Sequence, residues 1–364
     1  MAQPSDSIEW RFLESACRLP APEAATELET LLRDKSLDVV ALVAYAAHHK
    51  LLPYLARVLN LTSMPVLPPL LANVLVLHAA NSYKAKQLTQ TTAALCEQLA
   101  AEGVTVAVTK GLALHHTLYQ ADGTRYFTDV DLMIKPADAP VTARTLAAQG
   151  YQVGRCNRQR QDVTPLESAE LLVYSLSPDH LPKSALPLAD PFLPAVAIDV
   201  AFSLTWAAAP WSVPMDDALA GCRTIPADST QLPVLADDFH FLFLILHLFR
   251  EAWHESSMDK INLAQFRDIA GFAELLQPTG LQRVRDLVRG YRLEEPVSWV
   301  LGHLEQLFDV SIAAQLCAGS PRESWLQTVK LRRGEVGRWS GDMRERLFQG
   351  RNSILGRAGY EPGA

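Results

Sequence analysis

The sequence predicts an α+β protein, with a central run of short strands and helices between two helical regions. Three observations carry this. The stretch from Val104 to Ile134 reads as a buried strand (Val104, Val106, Val108), a break at Lys110-Gly111, and a helical piece from Leu112 to Tyr119. A polar turn at Ala121-Asp122-Gly123 and a second strand carrying Asp129 and Asp131 complete it. On the N-terminal side, Leu28, Leu31 and Leu32 fall at helical spacing after Trp10, Leu13 and Cys17. On the C-terminal side, Phe241, Leu244, Ile245 and Leu248 recur at i, i+3, i+4 and i+7. The expected organisation is a helical region over 1–100, a core over 101–215, and a helical domain with a basic tail over 216–364.

Each element has its own signal. Val39 to Leu59 is mostly apolar, with Pro53 marking a kink or a new helix start. His48 and His49 point about 100° apart on a helix, so one is expected in the core and the other in solvent. Past the proline-rich connector Pro65 to Pro69, the segment Leu70 to Glu102 is rich in good helix formers, and Gly103 suits its C-cap. After the acidic strand, Pro136-Ala137-Asp138 opens a helix over Ala139 to Gln149 that Gly150 closes, followed by a short strand at Tyr151 to Val153. Glu170 to Ser177 and Ala195 to Leu204 read as two further strands. Between them, Pro178, Pro182, Pro187, Pro191 and Pro194 are expected to bar helix and sheet interior. That leaves an ordered flap near the acidic face or a disordered insert. Residues 205–236 read as a connector, and Asp237-Asp238 as N-caps of the next helix.

Composition narrows the class. Apolar residues make up 49% of the 364 and charged residues 20%, as in globular proteins. A net charge of −7 disfavours a nucleic-acid coat, although the tail from Pro321 to Arg357 holds Lys330 and eight arginines against four acids. That tail reads as a solvated helical face or a polyanion contact. Cys17, Cys96, Cys156, Cys222 and Cys317 are scattered, which suggests reduced thiols and no zinc knuckle. The segment MAQPSDSIEW lacks the order of a signal peptide, and no long apolar run appears, so the expected setting is cytoplasmic without membrane contact.

The chemistry centres on Asp129 and Asp131. Two residues apart in a strand, they share a face, while Val130, Leu132 and Ile134 turn to the core. Paired carboxylates repel and call for a cation, and oxygen donors favour Mg²⁺ or Mn²⁺; a solvated strand end is the plainer reading. Gly111, with no Cβ, would let backbone N–H groups approach an anion, with Lys110 as a point charge beside it. Arg125 is either an ion-pair partner of the acids or a fork for phosphate oxygens. His115 and His116 read as packing or surface residues. His240, His247 and His254, seven apart, are too far separated for one metal. His247 keeps a chance of lining an acceptor side, and Arg267 and Asp268 read as packing.

Lys110, Gly111, Tyr119, Arg125, Asp129, Val130, Asp131 and Leu132 together resemble the nucleotidyltransferases of the DNA polymerase β-like superfamily. The closer likeness is to a branch with the pattern L-K-G…Y…R…D-[IV]-D-L. The resemblance implies a mixed sheet core that moves a nucleoside monophosphate from a nucleoside triphosphate, ATP by expectation, to an acceptor. It implies that Lys110, Gly111 and Arg125 hold the triphosphate and that Asp129 and Asp131 bind metal. Asp199, in AVAIDVAFSLTW, would complete a two-metal site and accept the acceptor's proton. Thr109 stands for the leading leucine, the turn is Lys-Gly rather than Gly-Ser, and Ala201 and Phe202 replace a His-Trp pair, which leaves that histidine's role unfilled. The acceptor stays open among small molecules, carrier-bound products and proteins, with nucleic acid disfavoured. A non-catalytic nucleotide-binding or antitoxin-like partner and a phosphohydrolase are the competing functions.

Overall fold

The computed structural model describes residues 7–18, 22–61, 69–157, 162–176, 179–206, 209–254, 261–308, 310–317, 322–331, 334–339 and 341–348. Pro65, Pro68, Ser177, Pro178, Lys260, Pro321, Arg332, Arg333, Arg351 and Arg357 lie outside them. The fold is α+β, and two compact units divide it, 78–240 and the combination of 1–77 with 241–364. The expected boundaries lay at 100 and 215; in this grouping the N- and C-terminal helices fall in one unit.

The helical unit holds α1 (Ile8–Cys17), α2 (Pro22–Leu32), α3 (Val39–His48), α4 (Leu52–Leu61) and the start of α5 (Pro69–Ala101). Ser7 caps α1 through Trp10 N–H, and Asp38 caps α3 through Val40 and Ala41 N–H. As the spacing predicted, His49 is buried and His48 exposed. His49 Nδ1 accepts from Leu263 N–H at 3.3 Å. Tyr54 Oη donates to the Ala16 carbonyl at 2.9 Å, and Arg267 lies over the Tyr54 ring at 5.8 Å, so Arg267 does act in packing.

The sheet-bearing unit begins within α5 and continues through β1 (Ala107–Thr109), α6 (Lys110–Thr117), β2 (Val130–Met133), α7 (Ala139–Ala148), β3 (Gln152–Asn157), β4 (Asp162–Pro165) and α8 (Ser168–Leu176). It then adds β5 (Ser184–Pro187), β6 (Ala195–Ala201), α9 (Met215–Ala220), β7 (Arg223–Ala227) and β8 (Thr230–Val234). One mixed eight-stranded sheet results, in the order β4-β3-β5-β6-β2-β1-β8-β7. β2 runs antiparallel to β1 and parallel to β6, in a register that sets Val130 beside Ile198, Asp131 beside Asp199 and Leu132 beside Val200. The apolar members of these pairs face a core shared with Leu88, Leu95 and Leu99 of α5. Each such burial contributes about 1.5–3 kcal/mol. The acids of the same strands are thereby forced to the opposite face.

Three expectations fail here. Of Glu170 to Ser177, expected as a strand, Glu170 to Leu176 fall in α8 and Ser177 lies outside the described residues; a short apolar run carries no periodicity that separates the two, and no residue of α8 is buried. The proline segment is not barred from the sheet: β5 lies between β3 and β6, with Pro182 outside it and Pro187 its last residue. The 205–236 connector contains α9 and the β7–β8 hairpin, and β8 pairs in parallel with β1 through Val108 and Val234.

The helical unit resumes in α10 (Asp237–Trp253), whose first turn belongs to the sheet-bearing unit. It continues through α11 (Leu263–Gly290), α12 (Glu294–Phe308), α13 (Ala313–Leu316), α14 (Glu323–Leu326), the β9–β10 hairpin (Thr328–Lys330, Val336–Arg338) and α15 (Met343–Phe348). A capping box of Asn262 and Gln265 starts α11, which kinks at Gln277-Pro278. The basic tail is partly consumed by this core. Arg344 pairs with Glu14 at 2.6 Å, and the Arg346 guanidinium lies 5.7 Å from the Trp299 ring and 5.3 Å from that of Trp339. All five cysteines are free thiols, and among the described residues no helix is long and apolar enough to cross a membrane.

Burial and the nearby Arg346 charge push the His303 imidazole down to about 3. A histidine held neutral in the fold but protonated below about 6.5 when unfolded draws protons to the unfolded state. Stability should therefore fall as pH drops from about 6.5 toward 3. Urea unfolding at pH 7 and pH 5 should show His303→Gln losing about 2 kcal/mol less than the wild type over that interval.

Candidate functional site

β1 ends at Thr109 in extended conformation, and Lys110 then turns with φ +47° to open α6. A left-handed backbone at a lysine is costly and needs outside support. His240, in the first turn of α10, supplies some: its Nε2 accepts the Lys110 backbone N–H at 3.2 Å. Burial drives the His240 imidazole down to about 3, so it stays neutral and able to accept. His240 is buried, so it serves both packing and this turn. Gly111 does not take positive φ. A Cβ there would come within 2.6 Å of Phe127 Cβ, so the glycine makes room for a buried ring.

The three acids lie on one face of the sheet. Asp131 and Asp199 are register partners on neighbouring strands, and Asp129 immediately precedes β2. Thr109 sits opposite Asp131, so Lys110 emerges beside that carboxylate, with Nζ to Oδ1 at 2.5 Å. Asp199 Oδ1 meets His180 Nδ1 at 2.9 Å. Lys183 Nζ stands 3.9 Å from Asp129 Oδ2 and 3.8 Å from Asp199 Oδ2. Burial raises the Asp131 carboxyl, with Asp129 and Asp199 adding and Lys110 opposing. Burial also works against the Lys110 charge, but Asp131, Asp199 and Asp129 more than offset it and its pKa rises. For Asp199 burial is outweighed by His180, with Lys110 and Lys183 adding, and its carboxyl is held well below the usual range. Among the described residues no three His, Cys, Asp or Glu side chains form a ready-made metal cage.

His180 and Lys183 are the residues the sequence reading missed. His180 forms an isolated antiparallel bridge to Ala201, the position where the branch pattern carries its histidine. An imidazole therefore reaches Asp199 from the neighbouring chain segment. Neither residue has a local signal; their place beside β6 exists only once β5 pairs with it. The other candidates lie in more ordinary surroundings. Arg125 bonds the Tyr126 carbonyl, and its own carbonyl accepts from Asn81 Nδ2 at 3.0 Å. Asn81 also holds the Gly123 carbonyl at 2.7 Å, and Lys84 holds that of Phe127 at 2.5 Å, so α5 braces the segment leading to Asp129. His116 pairs with Thr89 at 2.9 Å, and in the helical unit His247 pairs with Glu251 at 3.5 Å.

If Gly111 is glycine because Phe127 occupies the space of its Cβ, Gly111→Ala should cost about 1–3 kcal/mol of stability. A thermal double-mutant cycle with Phe127→Ala should show strong coupling. Additive effects would place the requirement elsewhere in the turn.

A family model described as "Uncharacterised nucleotidyltransferase" matches residues 35–309, well over half of the chain. A search of curated proteins gives no match. With its mixed sheet and helical flanks, the chain belongs to this family of uncharacterised nucleotidyltransferases.

Proposed function

We propose that the protein transfers a nucleoside monophosphate from a nucleoside triphosphate, ATP by expectation, to an acceptor that carries a nucleophilic group. The observation that supports this most is the meeting of Asp129, Asp131 and Asp199 on one sheet face beside the Lys110 turn, in a chain of nucleotidyltransferase family. An acceptor oxygen or nitrogen would attack the α-phosphorus, the bond to the bridging oxygen would break, and pyrophosphate would leave.

The donor set fits a hard divalent cation: the acids offer only carboxylate oxygens, and Lys183 already stands as a positive charge between two of them. Asp129, Asp131 and Asp199 would hold Mg²⁺ or Mn²⁺, which when bound neutralises phosphate charge. The chain's own residues do the rest. Lys110 balances Asp131 and keeps it from repelling the other two acids. His180 fixes one oxygen of Asp199 and so orients the other. The α5 bonds to the 123–127 segment position Asp129. A scaffold that binds nucleotide without turnover is the competing reading, and only a turnover assay separates the two.

The test is an α-labelled triphosphate with Mg²⁺ or Mn²⁺ and candidate acceptor pools. Label should move to an acceptor, and Asp199→Asn should cut turnover at least ~100-fold while nucleotide affinity changes little. Asp129→Asn with Asp131→Asn should abolish metal-dependent nucleotide binding. Release of phosphate with no labelled acceptor would make the protein a hydrolase, and binding alone would make it a scaffold.

A further inference from the structure

A triphosphate beside three carboxylates needs positive charge and N–H donors, and the groups expected to supply them are already engaged. The Lys110 backbone N–H goes to His240 at 3.2 Å, and its ammonium lies 2.5 Å from Asp131 Oδ1, with 19% of the side chain exposed. Phe127 fills the space beside Gly111 where a Cβ would stand. Arg125 donates to the neighbouring Tyr126 carbonyl.

Lys183 is held differently. Its carbonyl accepts from Gly154 N–H at 2.9 Å, which fixes its backbone against β3. Its ammonium stands 3.9 Å from Asp129 Oδ2 and 3.8 Å from Asp199 Oδ2, beyond hydrogen-bond range, and the side chain is 47% exposed. A half-exposed pairing at that distance contributes little. An ammonium with three donors on a flexible stem can turn to another anion without any backbone change. The sheet order also brackets the acids: Lys110 follows β1, the neighbour of β2, and Lys183 precedes β5, the neighbour of β6.

We infer that Lys183 is a phosphate-binding residue of this site. Its ammonium donates to phosphate oxygens of the bound nucleoside triphosphate, and Lys110 serves as the counter-charge of Asp131. This rests on the nucleotidyl-transfer reading and deepens it, and it moves to Lys183 the role that the resemblance gives to Lys110. A Lys183 that only balanced the acids would act with the opposite sign. Its removal would then leave the face more negative and draw a magnesium–nucleotide complex more tightly, or leave its affinity unchanged.

Calorimetric titration of the full chain with a non-hydrolysable ATP analogue and Mg²⁺ tests this without turnover, with the melting temperature of each variant measured alongside. Lys183→Met should weaken analogue binding about tenfold or more, as expected for losing a charge-assisted hydrogen bond to phosphate. Its affinity should also fall less steeply with added salt than that of the wild type. Lys183→Arg, which keeps the charge, should stay within about threefold of the wild type. Lys110→Met should chiefly lower the melting temperature. Equal or tighter analogue binding by Lys183→Met overturns the assignment, and so does Lys110→Met losing affinity at an unchanged melting temperature. Either result leaves nucleotidyl transfer standing if label still reaches an acceptor in the wild type. No analogue binding by the wild type overturns both.

Discussion

Three carboxylates on one partly buried sheet face must be compensated, and much of the sheet-bearing unit is arranged around that need. The register of β2 against β6 brings Asp131 and Asp199 side by side because their neighbours Val130, Leu132, Ile198 and Val200 must face the core. Without nearby positive charge such a pair would be strongly disfavoured. Lys110, Lys183 and His180 supply partners, the first from a helix-opening turn and the other two from the stretch that enters β5. The lysines differ in exposure: the Lys110 side chain is largely enclosed and that of Lys183 is about half exposed.

The β1–α6 turn shows how a feature that reads as ligand-binding acquires structural duties. A Lys-Gly pair between strand and helix suggests a glycine opening the backbone to phosphate. In the fold the positive φ falls on Lys110, its amide is taken by His240, and Gly111 is needed under Phe127. The turn thus aims the lysine side chain at Asp131, and its backbone conformation is fixed by packing from α10 and from the segment before β2.

In the helical unit, groups with chemical potential are used as structure. His49 and His303 are buried and held neutral, and Arg346 is enclosed by tryptophan rings. Arg344 goes to Glu14, whose carboxyl burial raises and Arg344 partly restores. Two arginines of the locally basic tail therefore serve the fold, which weakens the reading of that segment as a polyanion contact.

Local pattern carried much of the architecture. Period-two alternation put Asp129 and Asp131 on one face and set Asp199 opposite Val196, Ile198 and Val200. Helical spacing and caps located α1, α5, α7 and α10, because burying an apolar stripe requires a fixed periodicity. The same logic is silent where periodicity is short or partners are distant. ELLVYSL has too few residues to separate strand from helix, and the prolines around β5 say nothing of the strands that pair on either side of its four residues. The sequence by itself determined the fold class, the acid face and the lysine turn, since each follows from residues within one or two elements. Tertiary structure alone decided that His180, Lys183 and His240 belong to that site, because their positions depend on hydrogen-bonded pairing and packing between segments far apart in the chain.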